Sequence, residues 1–138
     1  MKYFSYVLLI TTLVFSHLSY ADVSVVVNTA NGNAISDSDI SRLFLGKLKK
    51  FSDGESAKPV NSKSDAAARI EFEKKVLNKS SSQIKAYWSK RVFSGKGKPP
   101  KEVADDAAVL VFVAANPGAI GYISSSNVND SVKVVKTF

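Results

Sequence analysis

From residue 22 onward the apolar positions alternate between two periods, one for strands and one for helices. Val23, Val25, Val26 and Val27 form a nearly unbroken apolar run over 22–28, the pattern of a strand buried on both faces. Asn31, Gly32 and Asn33 mark a turn. Ser36 followed three residues later by Asp39 has the form of a capping box. Ile40, Leu43 and Phe44 then recur at helical spacing, which predicts a helix over 37–45 ended by Gly46. Residues 47–56 are basic and polar, with Phe51 as an apolar anchor and Asp53-Gly54 as a turn. Lys47, Lys49 and Lys50 there would attract anions or simply be solvated.

The next stretch organises the chain. It predicts a short strand over 57–60, a polar turn over 61–64 and a helix over 65–77. A strand feeding a helix through such a turn aims several unpaired N–H groups at one point, with the positive end of the helix dipole behind them. That arrangement suits an anion. The plain structural reading is that Ser62 or Ser64 N-caps the helix. Ile70 with Leu77, and Phe72 with Val76, lie on opposite sides of this helix, as expected of one packed on two sides.

Beyond a break at 78–82, Ile84, Tyr87, Trp88 and Val92 share one face of a helix over 82–93, with Trp88 assigned to the core. Residues 94–101 form a basic loop whose two glycines lack the spacing of a nucleotide loop. Residues 105–116 fit a helix or a strand; the flanking alanines and the Asn116-Pro117-Gly118 stop favour helix. Strands over 120–124 and 132–136 close the chain. Strands interleaved with helices indicate an α/β fold, a small mixed sheet flanked by helices.

Residues 1–21 read differently. Lys2 supplies a positive start, 6–15 an apolar core, and Ser19 and Ala21 the small residues of a cleavage site, so a cleaved signal peptide is expected over 1–21. The apolar run is too short for a comfortable membrane span. The remaining residues, 22–138, are expected to form one exported, periplasmic domain without a stable membrane anchor. Removing Lys2 takes the formal charge from +7 to +6, a balance that suits anionic ligands or acidic partners and also serves solubility.

The chain has no cysteine and one histidine, His17, which falls in the leader. Residues 22–138 therefore contain no Ser-His-Asp or Cys-His constellation and no imidazole or thiolate metal ligand. Glu71 and Glu73 are two apart and cannot share a helix face; Asp105-Asp106 looks like a helix start. The reading is non-enzymatic, with no cofactor. Export and scattered basic residues argue against nucleic acid.

Four motifs carry a family resemblance in one order along 22–138. The run Asn116-Pro117-Gly118-Ala119-Ile120-Gly121-Tyr122-Ile123 resembles the "PGAIGYV" segment of phosphate-binding proteins of ABC importers, the type II periplasmic solute-binding family. Ser38-Asp39-Ile40 leading to Phe44-Leu45-Gly46 is similar to the family's "DI..IF.G". Pro59-Val60 before a polar turn and helix resembles its "PV.R.DGSGT…F", and Tyr87-Trp88 before Gly95-Lys96-Gly97 is also similar. The resemblance implies one lobe of a fold that has two in full members. It also implies a ligand site at Asn61, Ser62, Lys63, Ser64, Asp65, Ala66 and Ala67, for phosphate or a similar oxyanion. Asn61 stands at about the position of the family's Arg, and Ser64-Asp65-Ala66-Ala67 at about its Ser-Gly-Thr. Asn lacks the charged fork of Arg, the alanines keep N–H donors without a hydroxyl, and Asp65 would repel an oxyanion. Lys63 and Arg69 would restore some positive charge. The alternative function is a single-lobe module that has lost phosphate and binds a periplasmic partner protein, such as a membrane sensor or envelope complex.

Overall fold

A computed structural model describes residues 22–138; the signal peptide expected over 1–21 lies outside the described residues. The sheet has five strands in the order β3-β2-β4-β1-β5, from β1 (Val23–Val27), β2 (Lys58–Ser62), β3 (Lys101–Val103), β4 (Ala119–Ser124) and β5 (Lys133–Thr137). Strands β2, β3 and β4 run parallel, whereas β1 is antiparallel to both β4 and β5. The sheet is therefore mixed, and the chain has the expected α/β fold.

Its helices divide between the two faces. On one face Val23, Val25, Val27, Ile120 and Tyr122 pack against α1 (Asp37–Phe44), α2 (Ala67–Lys75) and α3 (Ser81–Phe93). On the other, Val26, Val60, Ala119 and Ile123 meet Val109 and Val113 of α4 (Asp106–Ala115). All five residues of β1 are buried, so its continuous apolar run is the mark of a strand covered on both sides. Gly121 explains part of the β4 sequence: a Cβ there would stand 2.8 Å from Val109 Cγ1 and 2.9 Å from Val60 Cγ1, so only a bare Cα lets α4 sit this close. Gly118 is equally confined by the Ser56 carbonyl oxygen.

Several expectations hold closely. Ser36 and Asp39 form a reciprocal capping box at α1, Gly46 follows it with φ +71°, and Phe51 and Trp88 are buried. Others need correction. A turn at Thr29–Ala30, closed by the Asn31 amide on the Asn28 carbonyl at 2.9 Å, precedes the expected one at 31–33, where the Asn33 amide bonds Asn31 Oδ1 at 3.0 Å. Strand β3 takes in Lys101 from the expected loop and the unassigned residues after it, because residues 101–103 pair with Val60, Asn61 and Ser62. Helix α2 buries one face, made of Ala68, Arg69, Phe72 and Glu73, and leaves Ile70 exposed. Leu77 does not share a helical face with Ile70: α2 ends at Lys75, and Leu77 enters the core from beyond the helix. Val92, expected on the apolar face of α3, is 53% exposed.

Candidate functional site

Strand β2 runs two residues further than its apolar pattern suggests. Asn61 and Ser62 belong to the strand, opposite Glu102 and Val103 of β3. A buried asparagine in a strand needs a partner, and Tyr122 provides it. The Tyr122 hydroxyl donates to Asn61 Oδ1 at 2.8 Å and accepts the Ser62 amide at 3.3 Å. The phenol is placed by its ring: Phe72 of α2 stacks on it with centroids 4.0 Å apart and planes 6° from parallel, and Phe44 meets Phe72 edge-on at 4.7 Å. Burial pushes the Tyr122 hydroxyl well above the usual phenol range, so it stays protonated and able to donate.

The turn proper is 63–66, closed by the Ala66 amide on the Lys63 carbonyl at 3.0 Å. Helix α2 then starts at Ala67, two residues later than expected. Neither Ser62 nor Ser64 caps it. Ser62 is fully buried in β2 with its Oγ unpaired, Ser64 is exposed, and Ala66 holds the N-cap position with no side-chain acceptor. The other three α-helices among the described residues are all capped by a side chain, from Ser36, Ser80 and Asp105. The N–H groups of Ala67, Ala68 and Arg69 thus have neither an intrahelical nor a side-chain capping acceptor.

Of the seven residues singled out in the sequence, Asn61 and Ser62 are buried, Ala66 is half-buried, and Lys63, Ser64, Asp65 and Ala67 are exposed. The structure brings the last five together around the start of α2. Asn61 gives its Oδ1 to the Tyr122 hydroxyl and lines the groove beside the turn together with Ser64 and Asp65.

Beside this turn lies a groove of about 870 Å³ between α2, α3 and the segment leading into β3. An ion cluster forms its base. Arg69, 8% exposed, donates Nη1 to the Ser62 carbonyl at 2.9 Å and to Glu102 Oε1 at 2.5 Å, while its Nε faces Glu73 Oε2 at 3.5 Å. Burial raises the Glu73 carboxyl above its ordinary value, and Arg69 and the Ser81 hydroxyl pull it back part of the way. The one guanidinium thus stands between two carboxylates, with Asp65 also lining the groove. Such a cluster is a poor receptor for an oxyanion, because its Nε and Nη1 donors are taken and its balance is negative.

Sequence reasoning named Arg69 only as a compensating charge and missed Glu73, Glu102 and Tyr122. The Arg69–Glu73 spacing of four was readable as a helical pair. Glu102 comes from a strand 33 residues away that the pattern did not reveal. Asp105 and Asp106 do serve the start of α4: Asp105 accepts the Ala108 amide at 2.9 Å, and Asp106 ties the Ser124 amide and Asn127 to the helix.

No protein-family model matches the chain, and no curated protein matches it. Solved structures do. An ABC-type phosphate transport receptor from Vibrio cholerae superposes with a TM-score of 0.66 at 19% identity, over 85% of this chain and 47% of that one. A structure from Clostridium perfringens, described as a phosphate ABC transporter substrate-binding protein with bound phosphate, gives 0.65 at 20% identity over 85% and 46%. PstS from Borrelia burgdorferi gives 0.59 at 12% identity over 84% and 47%. The chain therefore spans less than half the length of the structures it matches. At these identities the likeness establishes the fold, which is that of one lobe of such proteins.

Proposed function

We propose that residues 22–138 form a single non-enzymatic binding domain, exported to the periplasm behind the leader 1–21, which takes a small oxyanion such as phosphate at the start of α2. One observation carries this reading: α2 opens with the uncapped N–H groups of Ala67, Ala68 and Arg69, whereas every other α-helix among the described residues is capped by a side chain. The exposed Ser64 hydroxyl and the Lys63 ammonium stand in the same turn and make no hydrogen bond or ion pair among the described residues. Support also comes from the fold, since the structures it resembles are described as phosphate receptors. For export, the support is the leader pattern; in 22–138 no helix is long and apolar enough to cross a membrane.

Magnitudes set the affinity. Three charge-assisted N–H bonds contribute about 1.5–3 kcal/mol each, against an association cost of at least about 4 kcal/mol. The remainder is about 0.5–5 kcal/mol before the opposition of Asp65, so binding is millimolar at its tightest. Calorimetric titration of the purified protein with phosphate and with sulfate tests it. Weak saturable heat with both anions is the expected result; no heat at tens of millimolar would overturn it.

A second reading rests on Arg69. Its Nε and Nη1 are held by Glu73, Glu102 and the Ser62 carbonyl, which draws its charge away from an anion. On this reading the lobe has lost phosphate and serves as an interaction module for a periplasmic or membrane protein. A well-folded protein that gives no heat with either anion would favour it.

A further inference from the structure

A second groove, of about 590 Å³, lies on the far side of Trp88, between the loop after α1 and the loop joining α3 to β3. Lys49, Arg91, Lys96 and Lys98 line it, and no carboxylate does. None of these four forms an ion pair among the described residues. Lys101 also borders the groove, but its ammonium sits over the Phe112 ring at 5.0 Å and is already occupied. The floor between the cations is apolar, made by Leu48, Pro59, Trp88 and Pro100.

Arg91 is the fixed point. Its guanidinium carbon lies 5.5 Å from the Tyr87 ring centroid and 5.9 Å from that of Trp88, so two aromatic faces hold it in place. The Tyr87 hydroxyl is itself anchored on the Leu45 carbonyl at 2.7 Å. Arg91 Nη2 reaches the Lys96 carbonyl at 3.5 Å, and its Nε is buried without a hydrogen-bond partner. The planar fork, already oriented by the rings, suits a carboxylate that meets it edge-on.

We propose that this groove binds an extended acidic segment of a partner protein, carrying carboxylates for Arg91 and the lysines and an apolar side chain for the Trp88–Pro100 floor. The charge of the groove selects against basic and neutral segments. Its apolar floor favours a peptide over a purely polyanionic polymer, which has nothing to place there. The volume accommodates a few residues. The groove is separate from the turn at 63–66, so it functions whether or not that turn holds an oxyanion.

The test is titration of the purified protein with a capped hexapeptide of glutamate and leucine, followed through Trp88 fluorescence and calorimetry at low salt. The same peptide with glutamine for glutamate, and inorganic polyphosphate, serve as comparisons. Saturable binding of the glutamate peptide is expected, weakened about tenfold by Arg91→Gln and unchanged by Lys133→Gln on the opposite edge of the sheet. Lys96→Gln with Lys98→Gln, both on the exposed loop, should weaken it as well and keeps the test valid should Arg91→Gln fail to fold. Absence of saturable binding, equal binding of the glutamine peptide, or tighter binding of polyphosphate than of the peptide would overturn the proposal.

Discussion

Arg69 on α2 and Glu102 on β3 meet at 2.5 Å, and this pair sets the charge available at the start of α2. The register of the two parallel strands places Glu102 opposite Asn61, within reach of the guanidinium. Glu102 is 55% exposed at its side chain, so the pair is partly screened and its removal should change stability by no more than about 1 kcal/mol. Its effect on an anion should be larger. Glu102→Gln removes a negative charge and loosens Arg69, and phosphate affinity is expected to rise roughly fivefold to tenfold. Calorimetry on the two proteins checks this; equal affinities would separate Arg69 from anion binding altogether.

Arg69 also holds Glu73, which is 3% exposed. Arg69→Met leaves that carboxylate buried without its partner and should lower stability by about 3 kcal/mol in urea unfolding. Replacing both residues, Arg69→Met with Glu73→Leu, should recover most of the loss, because the uncompensated charge is gone. A double variant as unstable as the single one would contradict this account of the pair.

The Glu73 carboxyl gives stability a pH dependence. Its native value is raised above 4.5, first by burial, with Arg69 and Ser81 acting against the shift. Between 4.5 and the raised value the native state therefore holds more proton than the unfolded chain. Its contribution is complete below 4.5 and is lost as pH rises through the native value. Wild type should thus lose stability relative to Glu73→Gln as pH increases across that window. Parallel curves in urea unfolding from about pH 4 to about pH 7 would show the carboxyl to be unperturbed.

Tyr122→Phe keeps the stack on Phe72 but removes the hydroxyl that serves Asn61 and the Ser62 amide. Leaving the buried Asn61 oxygen unpaired should cost about 1–3 kcal/mol. The accompanying amide shifts should centre on Asn61 and Ser62. A variant as stable as wild type would mean that water replaces the phenol there.

Much of the fold was legible because its signals are local. The valines of β1, the Ser36–Asp39 capping box and the Asn116-Pro117-Gly118 stop each state their element within a few residues. The turn at Asn61 was misplaced for the opposite reason. Asn and Ser are turn residues by local chemistry, and only Tyr122, about sixty positions on, makes them strand residues. Lys101, Glu102 and Val103 likewise form a strand because β2 is beside them, since their own sequence follows two prolines and carries two charges. Of the candidate site, the polar turn before α2 could be read as a strand–turn–helix pattern. The ion cluster that neutralises Arg69 could not, since half of it arrives from β3.

An oxyanion bound at the uncapped amides of α2 would move their resonances, which a phosphate titration of isotopically labelled protein follows one by one. Saturable shifts at Ala67, Ala68 and Arg69, with a dissociation constant in the millimolar range that tightens in Glu102→Gln, are the predicted result. Unmoved amides at these three positions up to tens of millimolar phosphate would contradict it.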